Sequence, residues 1–217
     1  MRRAELAGAL SLATDLATGQ PAGHALRVCR LADRLGERLG LDAPVRGDAY
    51  WAALLHSSGC TADAYEAAQL YGDDIALRAD WAVVGAARPL EIVRFLRERV
   101  GTGPRLVAAV VAGPARARRG FAAHCEIAGR LAGRLGLGAG VSAALEAAFE
   151  RWDGRGFPAG RRGDDLPLAA RVLHVARDAE VFRALGGADE AAAVVARRAG
   201  RAYDPRVAQG MDMGASA

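Results

Sequence analysis

Apolar residues recur along this chain at intervals of three and four, with no convincing run of strictly alternating β-branched positions, so the pattern predicts an all-α protein. Residues 4 to 17 read as a first helix, broken by Gly19-Gln20-Pro21. From 24 to 39, His24, Val28, Leu31, Leu35 and Leu39 share one face of a second, which Gly40 ends. A third, about 46 to 56, carries Trp51, Leu54 and Leu55 and stops at His56-Ser57-Ser58-Gly59. Further helices are expected near 63 to 70, 74 to 87, 89 to 100 and 104 to 112, punctuated by Gly72, Pro89, Gly101 and Gly113-Pro114.

The pattern sharpens over 122 to 137, where His124, Ile127 or Ala128, Leu131 and Leu135 form one stripe. A helix about 140 to 151 places Val141, Leu145 and Ala148-Phe149 inward. Residues 153 to 166 hold four glycines and a proline and read as a loop. Pro167 then suits the first turn of a helix running to about 185. Gly186-Gly187 breaks it before a short helix near 189 to 199, Asp204-Pro205 opens a last one, and residues 211 to 217 carry no folding signal.

Hydrophobic residues make up 52% of the 217 positions and run through the whole length, which argues for a folded globule. No apolar run reaches the ~18 to 20 residues of a membrane span, and the N-terminus lacks a signal-peptide pattern, so a cytoplasmic protein without membrane contact is expected. Cys29, Cys60 and Cys125 are widely spaced and form no CxxC pair, which fits reduced thiols. The net charge of +4 raises nucleic acid as a partner. Every basic residue is Arg, however, and the local runs lie apart without interleaved aromatics, so solvated surface is the favoured reading and direct nucleic-acid binding is not expected.

His24 and His124 sit near the starts of apolar stripes and His56 at the end of one. Each alone reads as a core imidazole. Three from distant helices, with Glu150 as a fourth group, point to a shared polar centre of the kind a helical bundle gathers around metal or phosphate.

The order of these motifs resembles the HD-GYP metal-dependent phosphohydrolases. Their first ligand His is matched by His24, and their His-Asp-x-Gly-Lys helix end stands here as His56-Ser57-Ser58-Gly59-Cys60. A later ligand His is matched by His124. Their His-His-Glu-x-x-Asp-Gly-x-Gly-Tyr-Pro segment stands here as Ala148-Phe149-Glu150-Arg151-Trp152-Asp153-Gly154-Arg155-Gly156-Phe157-Pro158. The similarity runs on through Gly160, Gly163-Asp164 and Leu166-Pro167-Leu168 to Ala170-Arg171-Val172-Leu173, with Arg177 where the family has an Asp.

The resemblance implies one HD-domain-like bundle with a Gly-rich GYP-type loop, a core over 22 to 186 and a helical extension over 187 to 217. It also implies transition metals that activate water against a phosphodiester, usually cyclic di-GMP. Ser57, Ala148, Phe149 and Arg177 replace metal ligands, and Cys60 replaces the Lys. Neither Ala nor Phe offers an electron pair, and Arg is a fixed cation. The expectation is therefore a degenerate regulatory module that senses a cyclic dinucleotide or phosphate or docks a protein, with a metal-dependent phosphohydrolase as the alternative. His24, His56, His124 and Glu150 form a remnant that is either empty or holds one divalent ion (Fe, Mn or Zn), with Cys60 as a further soft ligand. Domains of this look also precede LuxR-type helix-turn-helix segments, which makes a signalling or helix-turn-helix domain a candidate partner.

Arg151, Asp153 and Arg155 in the loop are candidate ligand-binding residues, the alternative being a tight surface connection. Arg177 shares a face with Leu173, Val181 and Leu185 and is expected to point inward to a carboxylate. Glu150 is the first candidate, and Asp178 is disfavoured because it leaves the helix in another direction. Such a cation would also suit a phosphate. The alternative is a side chain that snorkels to water.

Overall fold

A computed structural model describes residues 3–60, 64, 67–68, 75–76, 79 and 89–212. Among them are eight α-helices: α1 (Arg3–Ala17), α2 (His24–Arg38), α3 (Ala43–Leu55), α4 (Pro89–Val100), α5 (Pro104–Arg134), α6 (Ala139–Glu146), α7 (Leu168–Arg198) and α8 (Pro205–Asp212). Of the expected helices near 63 to 70 and 74 to 87, only residues 64, 67–68, 75–76 and 79 are described, each as helical; the rest, and the tail from 213, lie outside the described residues. Among the described residues no helix is long and apolar enough to cross a membrane.

The first half of α7 is the axis of the bundle. Nearly every residue from Ala169 to Phe182 is buried, whichever way it points. A helix enclosed on all sides must partner its polar groups, and those it carries are Arg171, His174, Asp178 and Glu180. Around it, α2 and α3 pack on each other and on α7, α6 on α3, α5 and α7, and α8 across α7 and α2. Alanines such as Ala25, Ala32, Ala52, Ala128, Ala132 and Ala144 line these contacts at full burial and let the helices approach closely. Leu55, Leu145, Leu166 and Leu173 fill the spaces between, each contributing roughly 1.5–3 kcal/mol through its burial. A smaller cluster of Phe95, Leu96 and Ala109 holds α4 against the first part of α5.

Several boundaries differ from expectation for identifiable reasons. Asp42 starts α3 earlier by accepting a hydrogen bond from the Val45 amide. Gly113-Pro114 does not break α5, which runs through Pro114. Val110, whose carbonyl loses its donor there, faces solvent, so water can satisfy it. On that helix Ala128 turns inward, while Ile127 is 40% exposed. Toward the C-terminus, α6 ends at Glu146 rather than near 151. The following turn leaves two carbonyls for outside donors: His174 Nε2 reaches Ala147 O at 2.8 Å and Arg177 Nη1 reaches Ala148 O at 2.7 Å. Gly187 (φ 83°, ψ −175°) interrupts α7 where the glycine pair predicts a break. Leu185, expected inward, is 66% exposed because α7 has by then left the core.

Candidate functional site

The N-terminus of α2 is capped from another helix. Asp15 of α1 accepts the Ala25 amide at 3.1 Å, which fixes the turn that carries His24. His24 is buried, and its ring lies 6.4 Å, centroid to centroid, from that of His56 at the end of α3. His56 Nδ1 lies 2.8 Å from Ala53 O. A carbonyl can only accept, so Nδ1 carries the proton and Nε2 takes the Ser57 hydroxyl at 3.2 Å. His124 of α5 approaches from the other side and donates from Nε2 to His56 O at 2.5 Å. Its ring meets Phe149 edge-on at 4.7 Å.

Arg177 stands over this group. Its side chain is 19% exposed, so it neither snorkels fully to water nor pairs with Glu150 as expected. Nε donates to Asp178 Oδ1 at 2.8 Å, Nη1 to Ala148 O, and the guanidinium lies 5.5 Å from the Phe149 ring centroid. The neighbouring carboxylate takes Arg177, while Glu150 is held toward the Gly-rich loop through one oxygen. Glu150 Oε1 accepts the amides of Ala159 and Gly160 at 2.7 and 3.0 Å, and so staples the Gly-rich loop. Its other oxygen is buried without a hydrogen-bond partner among the described residues.

Burial, reinforced by the Arg177 charge, lowers the His56 pKa to about 3 and that of His174 to about 4. Burial also takes His24 down to about 4, with Arg27 and Arg177 adding to it and Glu180 opposing. All three imidazoles are neutral near pH 7. Burial alone would raise Asp178, but Arg177, the Tyr203 hydroxyl and Arg198 together hold it below the usual carboxylate range. Glu180 is likewise held low against burial by Arg183 and Arg27.

The loop residues bond chiefly to one another. Arg151 makes a two-pronged pair with Asp153 at 3.0 and 2.8 Å, Asp153 also accepts the Arg155 amide, and the Arg155 side chain is exposed. Gly156 has no room for a side chain, since a Cβ there would overlap the Glu150 and Arg151 main chain. The far end of the loop is tied down by Arg171, which donates to Leu166 O, Asp164 and Asp204 beneath the Trp152 ring. Phe157 stacks on Phe121 of α5 at 5.3 Å, and Phe121 meets Phe149 at 4.6 Å in a tilted contact. An aromatic ladder thus joins loop and bundle.

The donor set does not fit a binuclear metal centre. His56 Nε2 is engaged by Ser57, His124 Nε2 by a carbonyl and Glu150 Oε1 by amides, while Ala148 and Phe149 offer no lone pair. Arg177 adds a fixed positive charge. Among the described residues no three His, Cys, Asp or Glu side chains gather as a metal-holding group. The structure thus brings His24, His56 and His124 together and turns Glu150 away to the loop. His174, Glu180, Tyr203 and Arg27 were not singled out from the sequence, and Asp178 was disfavoured there as the partner of Arg177; polar residues inside the otherwise apolar run 169 to 182 were the available signal for His174, Asp178 and Glu180.

Among solved structures, the chain is similar to one described as a cyclic GMP-AMP specific phosphodiesterase of Vibrio cholerae, with TM-score 0.71 and 22% identity over 96% of this chain and 47% of that one. This is an all-α HD-domain fold. The pattern of the family described as HD domain matches residues 115–207. Among curated proteins, 3'3'-cGAMP-specific phosphodiesterase 3 of Vibrio cholerae serotype O1 is 25% identical over 213 residues, 94% of this chain and 46% of that protein. A probable cyclic di-GMP phosphodiesterase of the same organism is 39% identical over 64 residues, 27% of this chain and 14% of that protein. This HD-fold chain therefore spans about half the length of the first of these relatives, and less of the second.

Proposed function

We propose that this HD-fold chain is a hydrolytically silent counterpart of the cyclic-dinucleotide phosphodiesterases it is similar to, serving as a regulatory module that senses a nucleotide or docks a signalling partner. One observation carries this reading: a guanidinium, Arg177, stands among the buried histidines where metal-dependent hydrolysis needs a ligand for a cation. His24, His56 and His124 remain, but both His56 nitrogens, His124 Nε2 and Glu150 Oε1 are spent on internal hydrogen bonds that hold α3, α5 and the Gly-rich loop. A helix-turn-helix or other signalling domain is the partner class this reading favours.

The second reading is a metal-dependent phosphohydrolase cleaving cyclic di-GMP or a related phosphoester through one Fe, Mn or Zn ion. Similarity over 94% of this chain to a 3'3'-cGAMP-specific phosphodiesterase favours it. Metal analysis separates the two. After incubation with Mn²⁺, Fe²⁺ or Zn²⁺ and removal of excess, the first reading expects no stoichiometric metal. One equivalent that is lost in His56→Ala would support the second.

A further inference from the structure

Beyond the missing ligands, the centre has an inverted charge. Arg177, Glu180 and Arg183 form one ridge of α7 at spacings of three, facing His24 and Arg27 of α2. Glu180, buried, is shared by two guanidiniums: Arg27 Nε at 2.6 Å, and Arg183 through Nε at 2.7 Å and Nη2 at 2.9 Å. Asp178 is shared by two more, with Arg177 at 2.8 Å and Arg198 at 3.7 Å, and it also accepts the Tyr203 hydroxyl at 2.7 Å. Four cations thus share two carboxylates, and the histidines between them are neutral near pH 7.

The excess positive charge is accessible. The Arg27, Arg177 and Arg183 side chains are 33%, 19% and 48% exposed, so the ridge opens to solvent while its carboxylates stay buried. Arg177 Nη2 and Arg183 Nη1 have no hydrogen-bond partner among the described residues. Both guanidiniums are held by their Nε hydrogen bonds, so little side-chain freedom is left to lose when an oxyanion arrives.

We propose that the Arg177–Glu180–Arg183 ridge with Arg27 is a receptor for a phosphate oxyanion. The proposal deepens the hydrolytically silent reading and rests on it. Guanidinium N–H groups suit phosphate oxygens, and the same excess charge disfavours the divalent cation that a working hydrolase needs. Because the rim is partly exposed, binding weakens as salt rises.

The test is titration of the full chain with inorganic phosphate at low ionic strength, by calorimetry and by NMR of the arginine Nε–H signals, with cyclic di-GMP in a parallel arm. The expected result is saturable phosphate binding, weakened about tenfold or more in Arg177→Leu and in Arg183→Leu. Arg183→Leu keeps the assay decisive should Arg177→Leu not fold, because Arg183 is half-exposed and, among the described residues, bonds only to Glu180. Displacement of phosphate by cyclic di-GMP identifies a phosphodiester as the ligand, and absence of displacement identifies a free phosphate or monoester. No saturable binding, or binding unchanged in the folded variants, overturns the receptor and leaves the silent reading standing. Metal-dependent cleavage of cyclic di-GMP in the parallel arm overturns the silent reading and, with it, the receptor.

Discussion

His124 donates from Nε2 to the main-chain carbonyl of His56 at 2.5 Å, and its own carbonyl packs against Gly59, where a Cβ would overlap it. The two contacts clamp the end of α3 to the middle of α5. Replacing Gly59 by Ala forces the pair apart, so Gly59→Ala is expected to lower stability by about 1–3 kcal/mol. The check is the urea midpoint at unchanged m-value. A midpoint equal to wild type would show that the clamp yields at no cost.

Asp178 and Arg177 predict an order of effects. Asp178→Ala leaves Arg177, Arg198 and the buried Tyr203 hydroxyl without their shared acceptor, and is expected to cost roughly 3–5 kcal/mol. Arg177→Leu leaves Asp178 its contacts with Tyr203 and Arg198, and is expected to cost only about 1–3 kcal/mol. Denaturant unfolding of both variants tests the order, and the reverse order would contradict the network.

Stability should fall as the solution is acidified below pH 6.5. His24, His56 and His174 have folded pKa values of about 4, 3 and 4 against 6.5 when unfolded, so the unfolded chain binds more protons in between. The stabilisation is complete above pH 6.5 and is lost as pH falls toward 4, at up to about 1.4 kcal/mol per pH unit for each histidine. Asp178 and Glu180, held low, add their own loss only below their ordinary values of 3.8 and 4.5, while the raised Asp15 opposes the trend. The window from pH 6.5 to 4.5 therefore reports chiefly the histidines. Thermal melting across that window should show a steady decline, and a flat profile would mean that the imidazoles are not buried as neutral groups.

The all-α class and most helix boundaries were legible because they depend on apolar periodicity and on glycines such as Gly40 and Gly187 that end a helix locally. Gly113-Pro114 misled because a proline's cost depends on whether the freed carbonyl meets water, and the sequence does not display exposure. The early end of α6 was hidden for the opposite reason, since the carbonyls of the turn that follows it, Ala147 and Ala148, are satisfied by His174 and Arg177 from a helix about 30 positions later. The meeting of His24, His56 and His124 could be anticipated from inward stripes. The partner of Arg177 could not, because the sequence does not display that loop amides hold Glu150 toward the Gly-rich loop while Asp178 takes Arg177.

Catalytic silence is tested most directly by turnover. Purified protein incubated with Mn²⁺ or Fe²⁺ should release no linear dinucleotide from cyclic di-GMP or 3'3'-cGAMP above the rate of a His56→Ala control, because Ala148, Phe149 and Arg177 offer a metal no lone pair, Ser57 offers only a neutral hydroxyl, and His56 Nε2 is already hydrogen-bonded. Metal-dependent hydrolysis of either compound that disappears in His56→Ala would contradict the account and establish a working phosphodiesterase.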